Sequence, residues 1–190
     1  PHRGLLPGAD FLRGRHPPAA EGVNAPMKRG MVIGCPGSGK STFARALHRR
    51  TGLPLFHLDR MNWNSNGTAV DKPVFRARLM DAVRQDAWII DGNYGSTMEV
   101  RLQACDTVFF LDYPVDLCLR GVMERRGKPR PDMPWVEVEA DPELMKFIQD
   151  YPVRSRPGVM ELLDRYSQRD IRIFQSRAEA DEFLKQLQVK

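Results

Sequence analysis

Apolar residues along the chain follow two rhythms, and the exchange between them sets the fold. Apolar-rich runs at residues 30–33, 53–58, 88–90, 107–111 and 171–174 have the length of strands, and the unbroken apolarity of 30–33 is that of a strand covered on both faces. Between them the apolar positions space out to three and four. Phe43, Ala44 and Leu47 mark a helix over 41–50; Phe75, Leu79, Ala82 and Val83 mark one over 75–85. Leu117, Leu119, Val122 and Met123 do the same over 115–126, and Ala180, Phe183, Leu184 and Leu187 predict a closing helix. Punctuation agrees with these boundaries. Gly52 is placed to end the first helix, Pro114 stops the fourth strand, and Ser176 with Glu179 forms a capping box. Strand and helix therefore alternate about five times, which implies α/β architecture: a parallel sheet covered on both faces by right-handed crossovers.

Two stretches break the rhythm. Residues 1–26 are rich in Pro, Gly, Ala and Arg and offer little to bury, so they read as a flexible tail or leader ahead of one domain over 27–190. Met27 is a candidate natural start. The second break runs from about 127 to 157. Its opening, Gly127-Lys128-Pro129-Arg130-Pro131-Asp132-Met133-Pro134, suits neither helix nor central strand, and Asp141-Pro142 then caps a short helix bearing Leu144, Phe147 and Ile148. An inserted lid follows from that reading, with Arg125, Arg126 and Arg130 on one side and Arg154 and Arg156 on the other.

The first strand leads into Gly34-Cys35-Pro36-Gly37-Ser38-Gly39-Lys40-Ser41-Thr42, which meets G-x-x-x-x-G-K-[ST] at every fixed position between a strand and a helix. Glycines let main-chain N–H groups close around phosphate oxygens, and the helix start adds more N–H groups and the positive end of its dipole. The loop residues from Gly34 to Thr42 are therefore expected to hold ATP. Lys40 is expected on the terminal phosphates, and the Ser41 hydroxyl is placed to ligate Mg²⁺. Asp59, Asp91 and Asp112 each follow a strand, and ligands of such sheets gather at the strands' carboxyl ends. The polar segment from Asp59 to Thr68 looks like a substrate loop. Arginines on a lid beside a phosphate loop suit phosphoryl transfer, because fixed guanidinium donors stabilise charge on the equatorial oxygens.

Composition narrows this little. The chain has 190 residues, 42% hydrophobic and 28% charged, enough for one domain with a proper core, and its net charge of +5 suits a nucleotide as well as a nucleic acid. No helix-turn-helix, zinc spacing or guanine-reading Asn-Lys-x-Asp string occurs, so nucleic acid as a partner is possible but unsupported by a motif. Cys35, Cys105 and Cys118 form no paired framework, which points to a reduced, cytoplasmic setting. His48 and His57 complete no metal set and read as structural. No apolar run approaches the roughly 18 residues of a membrane helix.

The phosphate loop, Asp91-Gly92 after strand three and the Arg125-Arg126 pair resemble the adenylate-kinase-like group of P-loop small-molecule kinases. His57-Leu58-Asp59-Arg60, Trp88-Ile89-Ile90-Asp91-Gly92-Asn93-Tyr94-Gly95 and Arg154-Ser155-Arg156-Pro157 resemble, more closely, the bacterial DNA topology modulation, or FlaR-like, family. The group resemblance implies a three-layer P-loop fold with five parallel strands in the order 2-3-1-4-5, and ATP with Mg²⁺ as donor and cofactor. It also implies transfer of the γ-phosphoryl to a small acceptor. By the same resemblance Asp91 helps hold the metal through water and Asp59 meets the acceptor hydroxyl. Arg125 would contact phosphates as the chain enters the lid, with Arg154 and Arg156 on the return. Nucleoside monophosphate kinases carry a longer acceptor insertion and continue Asp-Gly with Phe-Pro-Arg; here Asn93-Tyr94 follows, which counts against AMP as acceptor. Trp63 and Tyr94 are candidates to stack on an acceptor ring, and Asn64 and Asn93 to fix a hydroxyl or base edge. The family label implies the alternative of an ATP-binding regulator of DNA topology. A monomer or a homodimer is compatible with the sequence.

Overall fold

The computed structural model describes residues 26–187, so the expectation for the first 26 residues lies outside it except at Pro26. Strand β1 (Arg29–Gly34) is the centre of the molecule, since Met31, Val32 and Ile33 are all buried and can only be covered from both sides. It pairs in parallel with β3 (Trp88–Asp91) and β4 (Thr107–Leu111), placing Met31 opposite Ile90 and Val108. The edges are β2 (Leu55–His57) beside β3 and β5 (Asp170–Phe174) beside β4. The five-stranded order β2-β3-β1-β4-β5 is the one expected.

Alternate side chains divide the core into two halves. Met31, Ile33, Trp88, Ile90, Val108 and Phe110 face one layer, made by α3 (Lys72–Val83), α4 (Gly95–Ala104) and α7 (Arg156–Arg165). Val32, Ile89, Phe109 and Leu111 face the other, made by α1 (Lys40–Thr51), α5 (Val115–Arg125), α6 (Pro142–Arg154) and α8 (Arg177–Gln186). Three layers result. Phe43, Phe109, Phe174 and Phe183 cluster at 5.3–6.4 Å between ring centroids and lock α1 and α8 onto the sheet.

Caps form where the sequence placed them. Gly52 ends α1 at φ 71°, Asp141 accepts the Glu143 N–H, and Ser176 accepts the Glu179 N–H; Glu179 answers on Gln175 rather than on Ser176 itself. Three expectations need correction. The second strand stops at His57 because Leu58 opens a short helix, α2 (Leu58–Asn62), so Asp59 lies in a helical first turn rather than in a loop. Helices α4 and α7 were not anticipated. The chain passes at Ser155 straight from α6 into α7, so the lid region is an irregular stretch over 127–141 followed by a helical pair.

Candidate functional site

The loop after β1 is built by its packing as much as by its glycines. Gly37 sits at φ 81° with its Cα against α5, where a Cβ would stand 2.0 Å from the Cys118 carbonyl oxygen. From α5, Gly121 approaches in turn, since a Cβ there would stand 2.1 Å from the Gly37 oxygen. Backbone therefore meets backbone. The turn is closed by the Ser38 N–H donating to the Cys35 oxygen at 3.0 Å, and α1 begins at Gly39 with no side-chain cap and no acid in its first turn. Its leading N–H groups remain available to an anion. The Ser38 hydroxyl is buried with no hydrogen-bond partner, and among the described residues the Lys40 ammonium makes neither hydrogen bond nor ion pair. The Cys35 thiol packs against Cys118; that contact first, and burial second, push it above its ordinary range, so it is a buried wall of the loop.

The strand-end carboxylates go to three different partners. Asp59 accepts the Tyr94 hydroxyl at 2.6 Å, and burial pushes its carboxyl above the ordinary range against the opposing pull of Lys40 and Tyr94. Burial and the neighbouring Asp59 push the Tyr94 phenol up in turn. Asp91, buried at the end of β3, lies 2.9 Å from Nδ1 of His57, its register partner on β2. Asp112, after β4, is held by Arg156 through Nε and Nη2 at 2.7–3.0 Å. Arg156 is thus engaged at the end of β4, the strand beside β1. Arg154 is 76% exposed beside Asp150 and is not brought to the loop.

The lid supplies what the strands do not. Asp132, 2% exposed, accepts the Ser41 hydroxyl at 3.3 Å and lies 3.6 Å from Arg45 and 3.2 Å from Arg130. Glu137 lies 3.2 Å from both Arg125 and Arg130, and burial followed by Arg130 lowers the Arg125 pKa. Arg60 of α2 donates to the Pro131 oxygen at 2.7 Å. Trp63 meets Trp135 edge-on with centroids 6.0 Å apart, and Asn64 bonds Thr68 within its own turn. Lid and α2 segment therefore close on one another above Lys40, Ser41 and Asp59.

The sequence reading named Lys40, Ser41, Asp59, Asp91 and Arg125, and the structure gathers them around the phosphate loop. It missed Asp132, Arg130's pairing and Arg101. The signal for Asp132 was present: one acid among Arg125, Arg126, Lys128 and Arg130. An uncapped helix start, an orphaned Ser38 hydroxyl, a Lys40 without hydrogen bond or ion pair among the described residues and neighbouring carboxylates fit a magnesium nucleotide, and Ser41 and Asp91 are the groups that could hold the metal.

No family model matches the chain, and no curated relative does. Solved structures do. A shikimate kinase from Bacteroides thetaiotaomicron is 21% identical over 85% of this chain and 96% of its own, with a TM-score of 0.51. A shikimate kinase from Acinetobacter baumannii, solved with shikimate, is 19% identical over 83% of this chain and 89% of its own, with a TM-score of 0.56. At these identities the likeness extends to the fold: this chain is a three-layer α/β protein with parallel strand order 2-3-1-4-5, and it shares its fold with these two shikimate kinases.

Proposed function

We propose that this chain is an ATP- and Mg²⁺-dependent kinase that moves the γ-phosphoryl group to a hydroxyl of a small acceptor. The observation that carries the reading is the meeting of an uncapped helix start and Lys40, which makes no hydrogen bond or ion pair among the described residues, with a half-buried carboxylate, Asp59. The N–H groups of residues 37–42 hold phosphate oxygens, and Lys40 stabilises the charge that spreads over the group in transfer. Ser41 and Asp91 would hold magnesium, which when bound would supply charge neutralisation at the phosphates. Asp59 takes the acceptor's proton, its carboxyl oriented by the Tyr94 hydroxyl. Arg125 from the end of α5 and Arg130 from the lid reach the phosphates, while Arg156 anchors α7 on Asp112.

The test is ADP release with ATP, Mg²⁺ and a panel of hydroxy acids, sugars, nucleosides and nucleotides. Shikimate heads the panel, because both solved neighbours are shikimate kinases. One acceptor raises ADP release above background, and Lys40→Ala lowers that turnover by roughly 10² or more. Wild-type turnover in the mutant removes the loop from catalysis. Nucleotide binding with only background hydrolysis across the panel counts against the kinase reading.

A further inference from the structure

Arg101 is the one fully buried cation among the described residues, at 0% exposure, and neither nucleotide nor acceptor chemistry calls for it. It sits on α4 with Thr97, Met98 and Leu102 facing the sheet. Its guanidinium reaches back along the preceding loop. Nη1 donates to the Gly92 oxygen at 2.8 Å, Nη2 donates to the Asn93 oxygen and approaches the Tyr94 oxygen at 3.5 Å, and Nε donates to the Thr97 oxygen at 3.4 Å. Burial lowers its pKa to about 9, and the charge opposing that shift most is Asp91. A buried charge spent on carbonyl oxygens is costly unless it holds something in place.

What it holds is a short loop in an unusual shape. Gly92 lies at φ 132° with Leu58 against its Cα, where a Cβ would stand 2.8 Å from the Leu58 Cβ. Tyr94 lies at φ 36°, the only described residue other than glycine with positive φ. Such backbone persists only where its surroundings fix it. Two side chains of this loop then reach opposite halves of the site. Asn93 Oδ1 accepts the N–H of Gly34, the first residue of the phosphate loop, at 3.1 Å, and the Tyr94 hydroxyl donates to Asp59 at 2.6 Å.

We infer that Arg101 is a positioning residue that ties the two halves of the site together: by gripping the carbonyls of residues 92–94 it sets Asn93 on the phosphate loop and Tyr94 on Asp59. The inference rests on the phosphate loop binding a nucleotide as proposed above. A lysine presents one ammonium where the guanidinium presents a fork, so Arg101→Lys keeps the charge and loses the grip. Arg101→Met removes both and leaves the carbonyls without donors.

The test is a cycle of Arg101→Lys, Asn93→Ala and the double variant, read as MgADP affinity by calorimetry and as amide exchange by NMR. Each single variant weakens MgADP about tenfold, Arg101→Met weakens it further, and the double is no weaker than the worse single within about twofold, because both act through one contact. Exchange at the Gly34 amide rises at least about tenfold in Arg101→Lys while Val32, in the same strand, keeps its protection. Independent, multiplying losses in the cycle overturn the inference, as does wild-type affinity with unchanged Gly34 exchange in Arg101→Lys. Should Arg101→Met fail to fold, the Lys–Ala cycle and the Gly34 exchange decide without it. Should wild-type protein itself fail to bind MgADP, the nucleotide reading falls, and the Gly34 exchange still reports separately whether Arg101 holds the loop.

Discussion

Asp59 illustrates a residue held at a cost. Burial disfavours its charge, so the folded chain binds that proton more tightly than the unfolded chain does. Its contribution to stability therefore falls as pH rises from the ordinary carboxylate value of about 3.9 through the raised folded value, and the full cost is present above that. Asparagine carries no charge and keeps an oxygen to accept the Tyr94 hydroxyl. Asp59→Asn is expected to melt about 2–4 °C above wild type at pH 7–8, with the gap narrowing towards pH 4, while acceptor-dependent ADP release drops by about 10² or more. Melting curves across that pH range check it; a variant less stable than wild type at pH 8 shows that the Lys40 attraction outweighs burial. Residues of this kind were legible because they stand at strand ends, where sequence marks the sheet's carboxyl edge. Arg101 was not, and Tyr94 reads as a stacking ring rather than as the partner of Asp59, since nothing in a string of letters says that an arginine faces inward or that a tyrosine sits at φ 36°.

Elements were read well where their inward faces are apolar and poorly where they are not. The helix α1 and the five strands show clean patterns, whereas α4 buries Thr97 and Arg101 along with Met98 and Leu102, which erases its apolar stripe. The opening of α7, Arg156-Pro157-Gly158, likewise reads as a break, although proline in a first turn is no obstacle to a helix. Lid closure was legible as a Pro-rich interruption; that Asp132 would land on Ser41 depends on tertiary packing. The most exacting contact between elements is that of α5 with the phosphate loop. On helix propensity alone Gly121→Ala would stabilise α5 by about 1 kcal/mol. Here the added Cβ would stand 2.1 Å from the Gly37 oxygen, a backbone atom that moves only with the loop. Overpacking of this sort costs about 1–3 kcal/mol, so the sign reverses. Gly121→Ala is expected to lower the melting temperature and to weaken MgADP about tenfold, as read by scanning fluorimetry and calorimetry. A stabilised variant with wild-type affinity would mean that the loop and α5 are not in register as described.

At the scale of the whole molecule, the candidate site is where otherwise separate parts converge. The phosphate loop rises from the central strand, Asp59 from α2 beside the edge strand β2, Tyr94 and Asn93 from the loop after β3, and Asp132 and Arg130 from the lid. A ligand seated there touches both sides of the sheet's carboxyl edge and the lid at once. It therefore binds the folded chain and has no counterpart site in the unfolded one, so its binding energy adds to global stability. At a hundredfold excess over its Kd, MgADP contributes about 2.7 kcal/mol. For a domain of this size that corresponds to a rise in Tm of about 5–10 °C. Lys40→Ala lowers the affinity and with it the shift, because the loop keeps its N–H groups and loses its ammonium. The pairing of the two measurements is what discriminates. A rise in Tm that survives in Lys40→Ala at the same MgADP concentration places the nucleotide elsewhere on the molecule. No rise in wild type at a saturating concentration separates the fold from the activity proposed for it.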